Sequence, residues 1–132
     1  MTVEVNIPEV VAEVGAEFEK YEDALVHNKV EVLDGLFWPS PLVLRYGASE
    51  ILRSYEEIRR FRAARSPVGL MRERRNTRIT TFGRDFAVAN TEFLRASAPG
   101  KVGRQSQTWV RMPEGWRIVA AHVSMIENPK EF

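Results

Sequence analysis

Apolar residues recur at three- and four-residue spacing through Val10, Val14, Phe18, Tyr21 and Leu25, the stripe of an amphipathic helix with Tyr21 on its core side. Pro8 suits the first turn, Glu9 the positive end of the helix dipole, and Asn6 is the expected cap. Asn28 is expected to end this helix, and a shorter one follows through Val32, Leu33 and Leu36. Phe37-Trp38-Pro39-Ser40-Pro41 reads as a stiff loop, because two prolines exclude a helix or a central strand. Leu42 to Tyr46 alternates as a short strand, with Leu42, Leu44 and Tyr46 on one face and Val43 and Arg45 on the other. Ser54-Tyr55-Glu56-Glu57 is a capping box. It opens a helix to about Arg65, lined on one side by Tyr55, Ile58 and Phe61.

From Gly69 onward the pattern is strand and turn. Gly69 to Phe82, Phe86 to Ala96, Val102 to Met112 and Trp116 to Ile126 are separated by short Gly- or Pro-containing turns, which predicts an antiparallel meander. Strands this long must twist and coil, and helices packed on one side turn the sheet into a cone. The last strand is apolar on both faces, whereas a strand buried on one side alternates cleanly. The helices cover one face, and a second copy of the chain is the simplest cover for the other, so a homo-oligomer (dimer or tetramer) is expected. If the Pro113-Glu114-Gly115 turn pairs Arg111 with Trp116, Gln105 lies opposite His122 and Gln107 opposite Ala120. A one-residue slip would turn Ser106 and Thr108 inward in place of the glutamines.

Composition narrows the function classes. A chain of 132 residues, 44% hydrophobic, can bury one core, and one domain over residues 1–132 is expected. The 19 Lys+Arg and 18 Asp+Glu cancel to a formal +1, which argues against nucleic-acid or membrane-surface partners. Those charges are segregated: residues 1–34 are acidic, while Arg59 to Arg78 is arginine-rich with Glu73 its only acid. A helix and a strand with solvated edges is the favoured explanation, ahead of a polyanion site. The absence of cysteine excludes disulfides, thiolate metal sites and thiol nucleophiles. No signal-peptide pattern or membrane-length apolar run is present, so a cytoplasmic location is expected.

Among side chains that carry chemistry, Arg45 stands out. An arginine centred on a short apolar strand is costly to bury without an anion, and its planar fork suits a carboxylate. The alternative is a salt bridge to Glu17 or Glu50. Tyr21 on an apolar stripe reads first as a core tyrosine whose hydroxyl finds a partner. His122 could move protons near neutrality, or sit neutral in the core or at a subunit contact. His27 is expected to be solvated or capping. No HExxH spacing exists, so neither a metal nor a cofactor is expected. Trp38 is a candidate pocket wall or a core residue, and Arg72 and Arg74 are candidates for the pocket mouth or for exposed edge charges. For a carboxylate base the strands offer only Glu92 and Asp85, the latter committed to a turn.

The order of elements, helices, broken strand, capped helix and meander, resembles the NTF2-like superfamily, with its ketosteroid-isomerase-like and SnoaL-like domains. The ending Trp116-Arg117-Ile118-Val119-x-x-His122-x-Ser124 looks like the terminal strand common there. Closer still, Leu44-Arg45-Tyr46-Gly47, Ile58 to Arg65, Thr80 to Ala87, Asn90-Thr91-Glu92-Phe93 and Gly103 to Trp109 resemble the AtzH-like family. The resemblance implies an α+β cone, N-terminal helices packed on a curved antiparallel sheet that encloses a pocket. It also implies a metal-independent, decarboxylating amidohydrolase that cleaves a carboxylated urea, with a possible amidase partner. Its catalytic residues fall on Tyr21 and Arg45; Trp38, Arg72, Gln107 and His122 are the candidate substrate contacts. Because this fold hosts many activities, two alternatives stand beside it: a non-catalytic pocket for a small carboxylate, and a SnoaL-like isomerase or dehydratase.

Overall fold

The computed structural model describes residues 2–129. The first helix, α1 (Pro8–Val26), buries Val10, Val14, Phe18, Tyr21 and Leu25 as the spacing predicts, and Glu22 with them. Asn6 does not cap it. With φ of 60° it turns the chain, donates its N–H to the Thr81 carbonyl at 3.0 Å and accepts the Thr81 N–H on Oδ1 at 2.9 Å. It therefore spends both polar ends on a neighbouring strand rather than on the helix start. Asn28, at φ 53°, ends the helical run as expected. Next, α2 (Val30–Leu36) buries Leu33 and Leu36.

The Phe37 to Pro41 loop then runs beside the last strand, where Trp38 N–H donates to the Ile118 carbonyl at 3.0 Å. Two short strands follow, β1 (Leu44–Tyr46) and β2 (Ile51–Leu52), paired antiparallel. Helix α3 (Tyr55–Ala64) starts on Ser54, whose hydroxyl accepts the Glu57 N–H at 3.2 Å. The Glu57 carboxylate reaches one residue further back than a standard box, to the Arg53 N–H at 2.8 Å.

The meander consists of β3 (Glu73–Phe82), β4 (Phe86–Leu94), β5 (Lys101–Met112) and β6 (Gly115–Glu127). All six strands join one sheet in the order β2-β1-β6-β5-β4-β3. The sheet is mixed rather than wholly antiparallel, because β1 lies parallel to β6. The helices pack on its inner face, where Ala87, Ala89, Trp109, Trp116 and Ile118 meet the α1 stripe in one apolar core.

The segregated charge has a structural reason. The acidic α1 lies against the arginine-rich sheet flank, so Arg74 meets Glu19 at 2.8 Å, Arg72 meets Glu22 at 2.6 Å and Arg111 meets Glu13 at 2.8 Å. Helix and strand carry opposite charges because they face each other across the flank.

A β-bulge in β6 decides which residues face inward. Arg111 pairs with Trp116 as the turn predicts, but the register shifts between Thr108 and Trp109, so that Trp109 pairs with Ile118 while Thr108 pairs with Ala120. One extra β6 residue inverts the alternation. Trp116 and Ile118 point inward before the bulge, and Ala121, Val123 and Met125 after it. Gln105 therefore lies opposite Val123 and Gln107 opposite Ala121, not opposite His122 and Ala120.

Candidate functional site

Between α1, the end of α3 and the inner face of the sheet lies a cavity of about 280 Å³. It falls near the bottom of the ~300–1,000 Å³ range of small-molecule sites, which fits a small ligand. Leu25, Phe61, Leu70, Val123 and Met125 form its apolar wall. The polar wall is dominated by Arg45, Arg65, Arg72, Arg95, Gln105, Tyr21 and Glu50.

Arg45 is carried inward by the alternation of β1, which leaves Leu42, Leu44 and Tyr46 exposed and buries Val43. Its Nη1 is buried without a hydrogen-bond partner, and the nearest carboxylate oxygen, Glu50 Oε2, stands 4.0 Å away and is itself unpartnered. The expected alternative, a salt bridge to Glu50, is thus present only at the outer limit of contact. Glu50 is folded over Gly47, where a Cβ would collide with its carboxylate. Arg65 follows α3 and Arg95 follows β4. Arg65 Nε and Nη2 and Arg95 Nε are buried and unpartnered as well.

Burial pulls the pKa of all three guanidiniums below the ordinary arginine value, and neighbouring arginines push in the same direction. Arginine does not give up its proton in a protein. The downward shift therefore expresses the cost of holding unmatched cations together, and a bound anion would relieve it. Tyr21, 3% exposed, lines the same cavity and interacts electrostatically with Arg45, Arg65 and Arg95 alike.

The fourth arginine is different. Arg72 donates to Glu22 at 2.7 and 2.6 Å and to Gln105 Oε1 at 3.1 Å, and its guanidinium lies 4.3 Å from the Phe93 ring centre. It is neither an exposed edge charge nor a free cation, because Glu22 neutralises it. Four arginines against Glu22 and Glu50 leave the site a formal excess of two positive charges.

Three of the six residues singled out from sequence line this cavity: Tyr21, Arg45 and Arg72. Three do not. His122 stands on the outer face beside Leu44 and Tyr46, its ring edge-on to Tyr46 at 5.6 Å, because the β6 bulge turned it there. Gln107 is inside but deeper, with Oε1 taken by the Trp109 indole at 3.1 Å. Trp38 packs against the core. Arg74 is bound to Glu19. Glu92 holds Asn76 at 2.8 Å and Asp85 holds Arg111 at 3.2 Å, which leaves Glu50 as the cavity's carboxylate. His27 bonds Asp23 in solvent at 3.1 Å. Arg65 and Arg95 were missed from sequence; the one available signal was arginine in excess of nearby acids. Among the described residues no group of three or more carboxylates and histidines could hold a metal, and no helix is long and apolar enough to cross a membrane.

Helices closing a curved sheet over such a cavity give the chain a cystatin-like fold, the fold it shares with NTF2-like proteins. Within that class it belongs to the AtzH-like family, whose model matches residues 3–129. A solved protein of unknown function from Pectobacterium atrosepticum is 58% identical, over 93% of this chain and 95% of that one, with a TM-score of 0.90. A cystatin-like fold protein from Burkholderia xenovorans is 48% identical over 96% and 99%, with a TM-score of 0.92. An NTF2-like superfamily protein from Salmonella enterica shares the fold at 23% identity and a TM-score of 0.69, over 94% of each chain. None of the curated proteins matches the chain.

Proposed function

We propose that the cavity binds a small carboxylated urea as a dianion and removes carbon dioxide from it. The observation that carries this reading is the convergence of unpartnered, buried donors of Arg45, Arg65 and Arg95 on one small cavity beside the Tyr21 hydroxyl. A surplus of two cationic charges suits two carboxylates, and Arg45 offers the planar fork that grips one of them.

Two groups share the chemical work. In a urea N-carboxylate the bond between nitrogen and the carboxylate carbon breaks, its electron pair stays on nitrogen, and carbon dioxide leaves. The nitrogen needs one proton in return. Tyr21 supplies it, and the phenolate left behind is stabilised by the surrounding guanidiniums until water restores the proton. Carbon dioxide taken up by water completes a net hydrolysis of the C–N bond, and no protein nucleophile is required.

Incubation with a dicarboxyurea, following carbon dioxide and ammonia, tests the reading. The expected outcome is carbon dioxide without ammonia; ammonia would place cleavage at the other C–N bond. Tyr21→Phe should lose turnover by at least ~100-fold while still binding the dianion. Arg45→Ala and Arg45→Lys should both fail, since a lysine has no fork, and full activity in both ends the proposal. Thermal stabilisation by the dianion without product would make the cavity a binding module instead.

A further inference from the structure

Cations and Tyr21 account for the proposed chemistry, but the cavity also holds a neutral amide. Gln105 sits on the inner face of β5, 3% exposed, and lines the cavity. Its Oε1 accepts from Arg72 Nη2 at 3.1 Å. Arginine only donates, so this contact dictates which end of the amide faces Arg72. The Nε2 end must point the other way, where no protein group accepts from it. Arg72 cannot turn aside, because Glu22 grips it through two hydrogen bonds and the Phe93 ring lies beneath it. The side chain of Arg72 is 1% exposed and that of Glu22 8%. Two buried charges that cancel each other thus hold one neutral amide as a donor.

A site that needed only positive charge would gain more from a further lysine or arginine here. A neutral N–H donor suits an uncharged acceptor, and in a dicarboxylated urea that acceptor is the carbonyl oxygen between the two charged ends. We infer that Gln105 is the specificity-determining residue for a central carbonyl on the ligand, with Arg72 and Glu22 as its positioning residues. This inference rests on the carboxylated-urea reading of the cavity. It adds the group by which the site tells a urea from a plain dicarboxylate of the same length.

Two dianions isolate that group. In 3-oxoglutarate a central carbonyl stands where the urea carbonyl would, and glutarate has a methylene there. By calorimetry the wild-type protein should bind 3-oxoglutarate about tenfold more tightly, the scale of one net hydrogen bond. Gln105→Leu should lose that preference while its glutarate affinity stays within about twofold, the change a neutral substitution away from the carboxylates allows. Gln105→Glu keeps the shape but offers only acceptors; it should bind both dianions more weakly and also lose the preference. Melting curves show which variants fold, and the near-isosteric Gln105→Glu keeps the test open if the leucine does not. A tenfold preference surviving in either folded variant overturns the inference, as does a wild-type protein that binds both probes equally; neither result touches the parent reading. A wild-type protein that binds neither probe overturns the parent reading and this inference together.

Discussion

The arginines on the flank between α1 and β3 and those around the cavity are the same residue type under opposite electrostatic conditions. On the flank Arg72 and Arg74 each meet a carboxylate, at 2.6 Å to Glu22 and 2.8 Å to Glu19. Under α3, Arg62 likewise meets Asp34 at 3.0 Å. In the cavity Arg45, Arg65 and Arg95 keep buried donors that no protein group accepts. The chain does not lack acids, with 18 Asp+Glu against 19 Lys+Arg. Their distribution makes the difference: α1 spends Glu13, Glu19 and Glu22 on arginines of the sheet flank, and among the described residues the cavity receives Glu50 and the already committed Glu22. The contrast separates arginines neutralised within the fold from arginines whose donors no protein group accepts, although nothing in residue type distinguishes them.

The sharpest way to break the comparison is to delete one arginine from each group. Arg72→Leu leaves buried Glu22 with only the distant Arg74 at 3.8 Å, and breaking a buried pair in this way costs up to about 3–5 kcal/mol. Arg65→Leu removes a cation that has no partner and that burial already disfavours. Its stability should stay within about 1 kcal/mol of wild type or rise above it, since the lost side chain was held without compensation. Urea unfolding midpoints at pH 7 check both. Equal destabilisation would show that the cavity arginines are structural after all.

A second substitution reaches both groups through one ring. Gly103 on β5 is opposite Phe93, and a Cβ there would lie far inside contact distance of the fully buried ring. That ring carries Arg72 on its face at 4.3 Å and Arg95 at 5.0 Å. Gly103→Ala should therefore cost roughly 1–3 kcal/mol by overpacking and weaken dianion binding as well, because the shifted ring carries Arg95 with it. Loss of stability with full retention of dianion affinity, measured by calorimetry on the folded fraction, would uncouple the ring from the cavity.

Periodicity made the scaffold legible but not the details of the site. The α1 stripe, the Ser54 cap and the meander turns depend on local spacing, and spacing is visible along a chain. The β6 bulge is not, because residues on both sides of it are apolar and either alternation reads equally well; that single inserted residue carried His122 out of the site. Arg45 was legible because it interrupts an apolar strand. Arg65 and Arg95 were not, since each follows the end of its element, where an arginine ordinarily reaches solvent. The Glu22–Arg72–Gln105 chain joins three segments distant in sequence, and only packing brings it together.

The smallest expected effect lies on the exposed side of the same helix, and it sharpens the contrast with Glu22. Glu13 accepts from the Trp116 indole at 3.1 Å and from Arg111 at 2.8 Å, and these bonds hold its carboxyl below the usual value of 4.5. A carboxyl whose folded pKa is lowered adds stability that is present above its unfolded pKa and lost as pH falls through the folded one. Glu13→Gln should thus lower the unfolding midpoint slightly at pH 7 and approach wild type progressively as pH falls below 4.5. Both proteins should still lose stability in acid, because Asp23, lowered first by its hydrogen bond from Lys29, titrates with the same sign in each. A deficit that persisted unchanged to pH 3 would mean that Glu13 contributes through packing on Trp116 rather than through its charge. An exposed carboxylate with two partners should behave as a pH-dependent trim on the flank, whereas buried Glu22 should behave as part of its frame.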